Sequence, residues 1–77
     1  MRFVDLEFNK NYFILTREDF QKVCFPYTKV DYINYDASSG KLRIEVKKQG
    51  SFYRDYESTD ALNRDALKLM AKGGTAV

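Results

Sequence analysis

The sequence predicts a small α+β domain. Its antiparallel sheet is an N-terminal hairpin plus a three-stranded meander, with a short helix and a C-terminal helix packed on one face. Three observations carry this. Lys41–Lys48 alternates cleanly, with Leu42, Ile44 and Val46 on one side and Arg43, Glu45 and Lys47 on the other. Short turns with Gly40 and Gly50 join that run to its neighbours. Near the end, Leu62, Ala66, Leu69 and Met70 repeat at i, i+4, i+7 and i+8, the stripe of an amphipathic helix.

The 77 residues form one domain, residues 1–77. A chain of this size buries only about 60–65% of the surface its unfolded form exposes, so a few large groups must supply the core. Six Phe and six Tyr do so, because each aromatic ring removes much area from water.

The first strand is expected at Phe3–Phe8, where Val4, Leu6 and Phe8 alternate with Phe3, Asp5 and Glu7. Asn9-Lys10-Asn11 breaks it, and Tyr12–Leu15 reads as its hairpin partner. Thr16-Arg17-Glu18-Asp19 resembles a capping box, with Leu15 and Phe20 at the two staple positions. A helix of about two turns over residues 17–24 is therefore expected, ended by Pro26. Cys24 would then be a small buried hydrophobe beside Phe20 and Val23.

Lys29–Asp36, Lys41–Lys48 and Ser51–Glu57 make the three strands of the meander. Ser58 or Thr59 caps the last helix, and Asp60 and Lys68 suit the two ends of its dipole. Gly73-Gly74 ends it. The stripe should lie across the apolar face of the meander, giving two layers.

Composition excludes more than it assigns. There is no histidine, so the commonest acid–base group and metal ligand are both missing. The single cysteine makes neither an internal disulfide nor a zinc pattern. The glycines fall at turns rather than in a phosphate-binding loop. The expectation is a non-enzymatic protein with no cofactor. No apolar run approaches the length of about 18–20 residues that spans a bilayer, and the acids of MRFVDLEF do not suit a signal peptide. A cytoplasmic location without membrane association follows as the expectation.

Five tyrosines, Tyr27, Tyr32, Tyr35, Tyr53 and Tyr56, fall on or beside the meander. One helix cannot cover both sheet faces, so the uncovered face should present several of them, as binding surfaces do. The candidate partner-binding residues are Tyr32, Tyr35, Tyr53, Tyr56, Arg43, Lys47 and Arg54. The net charge of +2 is small, and Glu45, Asp55 and Glu57 interleave with the basic residues, which favours a protein partner. The alternative is a nucleic-acid-binding domain using the basic hairpin, with tyrosines stacking on bases. A third reading is a structural subunit or homodimer formed through an exposed edge strand.

The run Y-R-D-Y-E-S-T-D-A-L over residues 53–62, following a strand–turn–strand unit with Gly40-Lys41 at its turn, resembles part of a small phage-encoded anti-CRISPR protein of the type I-F class. Chain length and the opening Met1-to-Val4 pattern are also similar. The resemblance covers about thirty residues and implies a non-enzymatic inhibitor, acting in the host cytoplasm, that binds backbone subunits of a CRISPR surveillance complex. It also implies that Tyr35 is the main anchor, because that family uses a tyrosine just before its hairpin turn. Leu6 stands where that family carries an aromatic, and Lys47 where it carries an acid. Three strands followed by a helix is similar, too, to double-stranded-RNA-binding domains and to the arm-binding domains of phage integrases. The lysine cluster of the former is replaced here by Ser58-Thr59-Asp60-Ala61.

Overall fold

The computed structural model describes residues 1–73. Its elements are β1 (Phe3–Phe8), β2 (Tyr12–Arg17), β3 (Lys22–Pro26), a 3-10 turn (Tyr27–Lys29), β4 (Val30–Asp36), β5 (Lys41–Val46), β6 (Gly50–Asp55) and α1 (Thr59–Ala71). The fold is α+β, but it holds two three-stranded antiparallel sheets rather than one. Their orders are β1-β2-β3 and β4-β5-β6.

The helix expected over residues 17–24 does not form, and this is the main correction. Thr16 stays in β2, and the amide of Arg17 donates to the Gln21 carbonyl at 2.9 Å across a hairpin. Asp19 accepts from the amide of Gln21 at 3.1 Å, two residues on, instead of closing a capping box. Leu15 and Phe20 are no staple, since Leu15 is 0% exposed and Phe20 81%. The period-two pattern of Lys22–Pro26 wins over the local cap signal. Val23 and Phe25 turn inward and Cys24 outward. Cys24 is thus exposed rather than buried. Pro26 closes a strand at the free edge of the sheet, where its missing donor is tolerated.

A register shift between Phe3 and Asp5 inserts Val4 as an extra residue in β1. It turns Phe3 to the interior, at 1% exposed, and Val4 to solvent, at 39%. The inner faces of both sheets then share one core with α1. Phe3, Phe13, Leu15, Ile33, Leu42, Ile44, Phe52, Leu62 and Leu69 all belong to it. Phe25 bridges the sheets, with ring centroids 5.9 Å from Phe13 and 5.4 Å from Phe52. Helix α1 packs on β4 and β5. Ser58 is its N-cap and accepts from the amide of Ala61 at 3.3 Å. Leu62, Ala66 and Leu69 are buried as expected, while Met70 lies half-buried at the margin. Gly73 has φ 123° at the helix exit; Gly74 lies outside the described residues.

Candidate functional site

Alternation along the second sheet decides which side chains meet. Ile33 pairs with Ile44 and Ile44 with Phe52 on the inner face. The opposite face therefore carries Tyr32, Asn34 and Asp36 from β4, Lys41, Arg43 and Glu45 from β5, and Ser51, Tyr53 and Asp55 from β6. No helix covers it. Arg2, which bridges to Tyr53 just before β1, extends this face at the β6 side.

Tyr53 sits at the centre of the basic part. The Arg2 guanidinium lies 5.5 Å and the Lys41 ammonium 5.4 Å from its ring centroid, within cation–π reach. Arg2, Lys41, Arg43, Ser51 and Tyr53 line a shallow depression of about 380 Å³. A second one, about 230 Å³, adjoins it along Asn34, Asp36, Ser39, Lys41 and Arg43.

Most charges on this face are paired. Arg2 contacts Asp55 at 3.3 Å and Arg43 contacts Glu45 at 3.3 Å. Glu45 Oε2 also accepts from the hydroxyl of Ser51 and, at 3.5 Å, from that of Tyr32. The Ser51 bond chiefly, with help from Arg43 and Tyr32, holds the Glu45 carboxyl below its ordinary range. Asp36 is lowered too, mainly by the Ser38 hydroxyl and amide in the β4–β5 turn. Lys41 has no carboxylate partner among the described residues. With Arg2, Lys41 and Arg43 set against Asp36, Glu45 and Asp55, the face is neutral overall.

The seven expected residues do not form one surface. Tyr32, Tyr53 and Arg43 come together on the open face. Tyr35 pairs with buried Leu42 on the opposite face and remains 37% exposed at the sheet margin. Tyr56 follows β6 on the helix side, where its hydroxyl donates to Asp65 at 2.6 Å. Arg54 lies 4.5 Å over the Tyr56 ring. Lys47 falls in the β5–β6 turn, next to Lys48 with its φ of 63°. No family model matches the chain, and no curated protein matches it at a significant level.

Beyond Asn34, Asp36 and Asp55 at its margins, the site members that sequence reasoning missed are Arg2, Lys41, Glu45 and Ser51. Parity in the hairpin could have found the last three, since Lys41 and Glu45 share the face of Arg43, and Ser51 shares that of Tyr53. Arg2 reaches the site only through the packing of β1 against β6, which no local pattern encodes. Among the described residues no cluster of three or more His, Cys, Asp or Glu could hold a metal ion. No helix among them is long and apolar enough to cross a membrane.

Proposed function

We propose that this chain is a non-enzymatic docking protein that grips a protein partner through the open face of the β4–β6 sheet, with Tyr53 at its centre. The observation that carries the proposal is the neutral, aromatic character of that face. Tyr32 and Tyr53 sit among cations that are mostly matched by carboxylates. Tyrosine and arginine set in a polar rim are the residues that dominate protein interfaces. A phosphate backbone would need unpaired cations, and Lys41 alone is a poor attractant.

The resemblance of residues 53–62 makes a type I-F CRISPR surveillance complex the first partner to test, with a phage-encoded inhibitor as the specific form of the reading. The test is binding of the purified chain to that complex, and separately to duplex and single-stranded DNA, at low and high salt. Binding to the protein complex that survives high salt supports docking through tyrosines. Binding to DNA alone, collapsing as salt rises, would replace this reading with the nucleic-acid one.

A further inference from the structure

The β2–β3 hairpin carries an unusual pair of features at its two ends. At the turn, Phe20 is 81% exposed and holds φ 66°, a left-handed conformation costly for a bulky side chain. The turn is built to keep it there. The Phe20 amide donates to the Arg17 carbonyl at 2.9 Å, and Asp19 holds both the Gln21 amide, at 3.1 Å, and the Arg17 guanidinium, at 3.1 Å. The neighbours of the ring in sequence, Glu18 and Asp19, are acidic.

At the other end of β3 lies a depression of about 310 Å³. Cys24, Phe25, Pro26 and Val46 line it, and Lys29, Lys47, Lys48 and Gln49 form its rim, with no carboxylate among these residues. An exposed phenyl beside the carboxylate of Glu18, with Asp19 already paired to Arg17, complements an apolar hollow beside three lysines.

The strand between them is an edge, paired only with β2 among the described residues. The Arg17 amide bonds to the Gln21 carbonyl and the Tyr27 amide to that of Asn11, so residues 21, 23, 25 and 27 direct their backbone groups at β2. Lys22, Cys24 and Pro26 therefore direct theirs outward. An antiparallel second copy of β3 centred on Cys24 would match all of these groups except the Lys22 carbonyls, which face a proline with no amide to donate. Cys24 would exchange both its bonds with the other Cys24, and each Lys22 amide would donate to the other copy's Pro26 carbonyl. Proline at position 26 leaves no outward donor unsatisfied. The same register carries each Phe20 turn to the Pro26–Lys29 end of the other copy.

We propose that two copies of this chain pair through β3 into one six-stranded sheet, each seating its Phe20 turn against the lysine-rimmed depression of the other. The arrangement is isologous, since turn meets depression twice about one two-fold axis. It uses none of the open-face side chains of the β4–β6 sheet, although Val46, Lys47 and Lys48 of the depression come from β5 and the β5–β6 turn.

Sedimentation equilibrium on the intact chain, taken up to millimolar concentration, tests this. A mass twice the 9.0 kDa of one chain is expected. Phe20→Ala should weaken dimerisation about tenfold or more, as loss of an aromatic anchor does. Lys47→Glu with Lys48→Glu should also weaken it, and adding Glu18→Lys, which leaves the Asp19 contacts of the turn in place, should restore part of the loss. Mild oxidation should trap the dimer through Cys24, because a hydrogen-bonded pair sets the two Cα atoms about 5.5 Å apart, inside the range a disulfide spans. Cys24→Ser should dimerise without becoming trapped. A chain that stays monomeric throughout overturns the proposal, as does a dimer that oxidation does not link at Cys24. So does a dimer that Phe20→Ala leaves intact, or that the lysine reversals leave intact.

Discussion

Tyr56 donates its hydroxyl to Asp65 at 2.6 Å, and this bond ties the end of β6 to the buried side of α1. Asp65 is only 6% exposed, and its other contact is the Arg64 guanidinium at 3.6 Å. Burial first, then the Asp65 bond and its negative charge, push the Tyr56 hydroxyl pKa above the ordinary phenol value. Tyr56→Phe removes the one hydroxyl among the described residues that reaches the buried carboxylate, so unfolding by urea should show a loss of about 1–3 kcal/mol.

The same bond sets an alkaline limit. In the unfolded chain Tyr56 releases its proton near pH 10, roughly the reference value, while the folded chain retains it. Its contribution is therefore fully present below about pH 10 and is lost as pH rises further. Urea midpoints measured across this window should fall with pH, and Tyr56→Phe should flatten the fall. An equally steep fall in the variant would show that the Asp65 bond does not bias the titration.

Leu69 is 0% exposed where α1 meets the second sheet, whereas Leu67 on the outer side is 59% exposed. Leu69→Ala should cost about 2–4 kcal/mol through the cavity it opens. Leu67→Ala should stay within about 0.5 kcal/mol of the parent. Equal losses would mean that the stripe is not the buried face of α1.

The meander and the last helix were legible because period and punctuation agree there. The alternation of Lys41–Val46, Gly40 and the Ser58 cap all point the same way. The first half misled because Thr16 and Asp19 mimic a helix start while Val23 and Phe25 alternate like a strand. Long-range packing settles that conflict, since Phe25 must reach Phe13 and Phe52. The tyrosines were legible in part. Tyr32 and Tyr35 are three apart, as are Tyr53 and Tyr56, and residues an odd number apart point to opposite faces of a strand. The bulge at Val4 and the reach of Arg2 depend on how β1 sits against β2 and β6, which local pattern does not encode.

Phe20 is a hairpin tip, not a staple, and its φ of 66° favours glycine. Phe20→Gly, measured dilute enough to be monomeric, should raise stability by about 0.5–1 kcal/mol. A clear loss in urea unfolding would show that the ring packs within its own chain.

Gly40 holds φ 72°, and a Cβ there would meet the Tyr56 carbonyl oxygen at 2.7 Å. That carbonyl belongs to the residue whose amide donates to Gly40 O at 2.7 Å. Gly40→Ala should therefore cost more than about 1 kcal/mol, through strain and contact together. An unchanged thermal midpoint would contradict this close approach.

Docking through the open face is tested most directly by the affinity of four chains for the purified surveillance complex: the parent, Tyr53→Ala, Tyr35→Ala and Lys47→Ala. Tyr53→Ala should lose about 2 kcal/mol or more of binding, as a central aromatic anchor does. Tyr35→Ala and Lys47→Ala should bind nearly as the parent does, since Tyr35 lies on the opposite face and Lys47 in the β5–β6 turn. No binding by the parent would remove this complex as the partner. Full binding by Tyr53→Ala alongside loss in Tyr35→Ala would contradict the assignment of the open face.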